Sequence, residues 1–129
     1  MNKNIFYKIN CTNLGDVLCS TPVIRKLSKL YDNKLNIIND APEVLQNSPY
    51  INKIINSKDF NVKNLHGDYE FFESFVLPGQ KNQFGIERKF NTFDIRQIHA
   101  MDLGFALMPE EMHCEFFNLS KLNLLISSE

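Results

Sequence analysis

Tryptophan is absent from these 129 residues, and glycine is scarce, with five in all. None of the glycines clusters. Gly15 has no glycine neighbour, which excludes the glycine-rich phosphate cradle of dinucleotide-binding turns. No run of about 18 apolar residues is present, so no membrane-spanning helix is expected. The three cysteines, Cys11, Cys19 and Cys114, are an odd number without paired spacing, which argues against a disulfide framework and for reduced thiols. The three histidines, His66, His99 and His113, do not combine with the cysteines at metal-ligand spacing, and no metal site is expected. Basic excess is missing too. Fourteen Lys and Arg stand against fifteen Asp and Glu, for a net charge of −1, and general nucleic-acid binding is not expected. Internal repeats and low-complexity segments are also lacking.

What is present is a chain with 43% hydrophobic residues, enough for a core, at a length that makes one domain over residues 1–129 the default. Met1-Asn2-Lys3-Asn4 leads straight into Ile5-Phe6-Tyr7-Lys8-Ile9, a short buried strand over about 4–10, without the apolar core or cleavage site of a signal peptide. The expected location is therefore cytoplasmic. A helix follows over about 16–31, and Pro22 falls inside it. Either the regular helix starts at Thr21-Pro22 or a first turn kinks there. Arg25, Lys26 and Lys29 are expected on its solvated face.

The second strand is expected over 35–39. A short helix from Asp40-Ala41-Pro42-Glu43 through Gln46 and a third strand over 51–55 follow. Residues 56–68 are polar loop or weak helix, and Tyr69 to Phe75 read as a fourth strand. A long connection spans Leu77 to Gly85. Residues 91–103 read as a helix capped by Thr92, and 112–119 as a candidate fifth strand. The end of the chain, Leu122 to Ile126, is open between strand and helix. Strands alternating with helices at this spacing predict an α/β fold, a Rossmann-like parallel sheet flanked by helices.

The stretch Asn10 to Leu27 organises this plan. Gly15 is expected to make a tight turn and to let a substrate approach, and Asp16 opens a helix, where the dipole favours a carboxylate. In an α/β sheet such a turn lies at the carboxyl edge of the strands, where ligands bind. Two roles for Asp16 stay open on these grounds: a helix cap, or a general base.

Leu14-Gly15-Asp16-Val17-Leu18 followed by Thr21-Pro22-Val23-Ile24-Arg25 resembles the opening of the heptosyltransferases, glycosyltransferase family nine. Two further blocks agree in order, Asn47-Ser48-Pro49-Tyr50-Ile51-Asn52-Lys53-Ile54-Ile55 and His99-Ala100-Met101-Asp102-Leu103-Gly104-Phe105. The resemblance covers roughly residues 5–108. It implies the amino-terminal, acceptor-side half of a GT-B glycosyltransferase, without the donor-binding half, so that the chain alone is expected to be incomplete or inactive. It implies sugar transfer from a nucleotide-sugar donor such as ADP-heptose, as co-substrate and with no other cofactor, to a lipopolysaccharide-core or similar surface-glycan acceptor. Asp16 is then the general base. Thr12, Asn13 and Gly15 lie at the substrate, and Lys81 and Arg88 (with Lys89) meet acceptor phosphates or carboxylates from the long connection. The expected partners are a glycan or glycolipid acceptor and either a separate donor-binding domain or a second copy of the chain, with at most peripheral membrane contact. A non-catalytic acceptor-binding or scaffold module derived from such an enzyme is the alternative. A small flavodoxin-like interaction domain unrelated to sugars is the third reading.

Overall fold

A computed structural model describes residues 3–11, 13–75 and 94–118. Four strands form one sheet in which every neighbouring pair is parallel: β1 (Asn4–Ile9), β2 (Leu35–Ile38), β3 (Ile51–Ile55) and β4 (Tyr69–Ser74), in the order β3-β2-β1-β4. Helices α1 (Leu14–Leu18), α2 (Thr21–Tyr31) and α3 (Ile95–Asp102) accompany it. This is the expected Rossmann-like α/β arrangement. The order turns around at β1, which has β2 on one side and β4 on the other. A crevice at the carboxyl ends of β1 and β4 is where such sheets bind ligands.

Alternation along β1 decides its two faces. Ile5, Tyr7 and Ile9 are buried while Asn4 is exposed and Phe6 and Lys8 are half-buried. The buried set joins Leu35 and Ile37 of β2, Val17 of α1, Val23, Ile24 and Leu27 of α2, and Ile98 and Ala100 of α3 in one core. Phe6 points the other way. Its ring lies 5.9 Å from that of Phe60, which in turn stacks on Phe71 at 5.7 Å and 9°. Phe60 belongs to the polar segment after β3, which carries two 3-10 turns, Ser57–Asp59 and Val62–Asn64.

Pro22 breaks the expected single helix in two, with Cys19-Ser20 as the joint. The reason is local. The carbonyl of Leu18 would take the N–H four residues on, and Pro22 has none. The Thr21 hydroxyl donates to that carbonyl instead, at 2.8 Å. The short helix expected through Gln46 is a 3-10 turn, Pro42–Val44. Asp40 does not open it; the Asp40 carboxylate accepts from the Ser57 amide at 2.7 Å and hydroxyl at 2.6 Å. Helix α3 starts later than expected, on Asp94 as its cap, whose side chain accepts from the Arg96 amide. Thr92 and the connection over 77–85 lie outside the described residues.

Residues 112–118 form no strand. This segment is pinned by side chains rather than by a ladder. Arg25, expected in solvent, is 6% exposed. Its guanidinium pairs with the Glu115 carboxylate and donates to the carbonyls of Glu111 (2.8 Å) and His113 (3.2 Å). The Glu115 amide donates to the Thr21 hydroxyl at 2.9 Å. Lys26 is also drawn in, 2.8 Å from the Glu111 carboxylate. Lys29 is exposed, as expected.

Candidate functional site

The site is built on the loop that leaves the carboxyl end of β1. Asn13 caps α1, its side-chain oxygen accepting from the Gly15 amide at 2.9 Å. The cap is therefore Asn13, and Asp16 stands in the first turn behind it, where the exposed N–H groups favour a carboxylate without capping by it. Gly15 sits inside α1 and is not among the residues with positive φ. A Cβ there would meet nothing closer than the Asn13 side-chain oxygen at 3.4 Å. The tight turn expected of Gly15 is thus supplied by the cap of Asn13. Asp16 is half-buried, and its carboxylate has no hydrogen-bond or ion-pair partner among the described residues.

The main chain of Asp16 is held from across the fold. Helix α1 is five residues long, too short to be stable alone, and its last carbonyls have no amide of their own helix to meet. Cys19 N–H goes to Gly15 O at 3.0 Å and Ser20 N–H to Val17 O at 2.9 Å. The Asp16 carbonyl lies 2.9 Å from His99 Nε2 on α3, 83 positions away. The other ring nitrogen, Nδ1, is 2.7 Å from the Ser74 hydroxyl at the end of β4, and that hydroxyl is 2.7 Å from the Tyr7 hydroxyl of β1. Tyr7, Ser74 and His99 are all fully buried. Burial pushes the Tyr7 phenol far above its ordinary pKa of 10.0, so it remains a donor at any physiological pH. Asp102 closes the same corner, accepting from the Phe75 amide at 2.9 Å.

Two thiols flank this turn. Burial pushes Cys11 up from an ordinary 9.0 to about 12, helped by the negative charge of Asp16. Burial also pushes Cys19 up to about 11, with the charges of Cys114, Asp94 and Asp16 adding to the shift. Both stay protonated near neutrality, the state least suited to a nucleophile. Beside the turn lies an open depression of about 460 Å³ lined by Cys19, Asp94, Ile95, Arg96 and Cys114. Arg96 there is engaged by Asp94 through two contacts of 2.9 and 2.7 Å, and donates to the Met112 carbonyl at 2.8 Å. Its hydrogen bonds hold the Asp94 carboxyl below its ordinary pKa.

Of the residues singled out from sequence, Asn13, Gly15 and Asp16 come together on α1. Thr12, Lys81, Arg88 and Lys89 lie outside the described residues. His99, which opens the third block of the resemblance, is packed in the core, and it also touches the backbone of Asp16. Tyr7 and Ser74 were not singled out. The available signal was parity: Tyr7 shares the inward face with Ile5 and Ile9, and Ser74 pairs with Ile9 in the register of the sheet. A polar side chain on an inward position demands a partner. Among the described residues, no group of three or more His, Cys, Asp and Glu side chains gathers to hold a metal ion, and no helix is long and apolar enough to cross a membrane. Comparison of the chain with protein-family models, with curated proteins and with solved structures gave no match.

Proposed function

We propose that this chain is the acceptor side of a heptosyltransferase-like glycosyltransferase, with Asp16 as the general base. The acceptor is a lipopolysaccharide-core or similar surface glycan, and the donor is a nucleotide sugar such as ADP-heptose. Asp16 takes the proton from the attacking acceptor hydroxyl as that oxygen bonds to the anomeric carbon and the nucleoside diphosphate leaves. The setting is the cytoplasm, with at most peripheral contact with a membrane that carries the acceptor.

One observation carries the reading. Two blocks of the resemblance, the Gly15-Asp16-Val17 turn and the helix of His99, meet in space, and their contact falls on Asp16 itself. The turn also lies at the carboxyl end of β1, beside the reversal of strand order. A half-buried carboxylate with no competing partner among the described residues can accept a proton from a docked hydroxyl.

The test has two stages. Titration of the labelled chain with an inner-core oligosaccharide is expected to move the amide resonances of residues 13–19 and of α3 saturably. In a turnover assay with the donor-binding half supplied, Asp16→Asn is expected to lower the rate by roughly 10²–10⁴ while acceptor binding persists. A near wild-type rate in that variant removes the base assignment and leaves an acceptor-binding module.

A further inference from the structure

We propose that His99 is the positioning residue for Asp16: a neutral imidazole with its proton on Nε2 clamps the main chain of the first turn of α1 and so fixes where the carboxylate points. The inference rests on the glycosyl-transfer reading only for its catalytic consequence.

With the ring neutral, as proposed, the accept-only end of the chain sets the direction of every bond in it. A backbone carbonyl only accepts, so the contact between Nε2 and the Asp16 oxygen at 2.9 Å requires a proton on Nε2. The neutral ring then has a lone pair on Nδ1, and the Ser74 hydroxyl at 2.7 Å must donate to it. With its proton so used, the Ser74 oxygen accepts from Tyr7, whose hydroxyl lies 2.7 Å away. Tyr7 of β1, Ser74 of β4, His99 of α3 and Asp16 of α1 are thereby joined in one series. The Asp16 carbonyl fixes the tautomer of the ring, and the Ser74 hydroxyl, able to donate or accept, follows it.

Position gives the series its meaning. The Asp16 carbonyl is one of the orphan acceptors at the end of a five-residue helix. The neighbouring orphans are met locally, Val17 O by the Ser20 amide and Leu18 O by the Thr21 hydroxyl. Asp16 O is met by a side chain from another element. A carboxylate on a turn and a half of helix is only as well placed as the backbone beneath it, and an error of about 1 Å in a catalytic group can cost about 10²-fold in rate.

The first arm of the test needs no chemistry. Long-range proton–nitrogen spectra of the wild-type chain are expected to show His99 as the neutral Nε2–H form, with a through-hydrogen-bond coupling to the Asp16 carbonyl carbon. An Nδ1–H ring, or no coupling, overturns the proposal. In the second arm, His99→Leu is expected to speed amide exchange at Leu18 and Cys19 about tenfold, the worth of one hydrogen bond, with β2 unchanged. His99→Gln, which keeps a donor for Asp16, is expected to restore protection. Equal exchange in the two variants, or faster exchange spread evenly over β2, overturns it. Should His99→Leu not fold, the wild-type spectra still decide. The third arm is turnover, where His99→Leu is expected to lower kcat about tenfold with the acceptor KM unchanged, and His99→Gln to recover most of it. A fall carried by KM alone overturns the positioning role. If the spectra are as expected but the wild-type chain neither binds acceptor nor supports transfer, the glycosyltransferase reading fails and the clamp stands.

Discussion

Replacing Arg25 by methionine tests how the segment after α3 is held. Methionine keeps most of the apolar stem of arginine and removes the charge and all five donors. In the native protein those donors meet the Glu115 carboxylate and the carbonyls of Glu111 and His113. The Arg25 side chain is 7% exposed and that of Glu115 is 24% exposed. Removing one partner of a fully buried pair costs about 3–5 kcal/mol. Glu115 keeps enough access to water to be partly rehydrated, so the lower end applies, about 3 kcal/mol. For a domain of this size, that lowers the melting temperature by about 10 °C. Thermal unfolding followed by circular dichroism at neutral pH reads it directly. Glu115→Gln retains an acceptor for the guanidinium and is expected to cost about 1 kcal/mol. Hydrogen exchange in Arg25→Met is expected to rise first over 111–118. A melting temperature within about 2 °C of wild type would refute the reasoning, because the contacts would then be those of a solvated surface pair.

Four further outcomes follow from buried or depressed titrating groups and from the caps. Cys11 and Tyr7 have folded pKa values raised above their unfolded ones by burial, so the folded state holds more protons than the unfolded state in the alkaline range. Stability is then fully present below about pH 9 and falls as pH rises through about 12; urea unfolding at pH 7.5, 9.5 and 10.5 checks the slope, and Cys11→Ala with Tyr7→Phe is expected to flatten it. Alkylation of the native protein by iodoacetamide at pH 7.5 is expected to be slow at Cys19 and slower still at Cys11, which is 7% exposed; rapid labelling of Cys11 contradicts its burial. Asp94→Ala removes the cap of α3 and is expected to cost about 1 kcal/mol in chemical unfolding. Because Asp94 and Asp40 have lowered pKa values, their share of stability is present above the ordinary carboxylate range and is lost as pH falls through the depressed values; flat stability between pH 5 and pH 2 argues against both contacts.

The strands were legible because each carries its own pattern. β1 alternates, β2 and β3 carry leucine and isoleucine around Asn36 and Asn52-Lys53, and β4 is aromatic, so all four fell within a residue or two of expectation. Pro22 announced the break between α1 and α2 through its missing N–H, although sequence left two ways to meet it. Arg25 was illegible because its partner, Glu115, lies 90 positions away and no local periodicity reports it. The same distance hid the link from His99 to Asp16. The segment over 112–118 has the composition of a strand, but it meets side chains of α2 and α3 rather than a neighbouring strand, and composition does not record which surface a segment meets. Asp16 looked like a cap because carboxylates often cap; Asn13, three residues earlier, reaches the Gly15 amide and takes that role.

The central claim is that Asp16 stands at an acceptor site at the end of β1. Its most direct test is the titration of the isotope-labelled chain with a lipopolysaccharide inner-core oligosaccharide, read residue by residue. Saturable shifts concentrated on Asn13, Asp16, Val17 and His99 are the predicted result, with the same affinity in Asp16→Asn. An absence of shifts there, or binding confined to the Phe60 face of the sheet, contradicts the account.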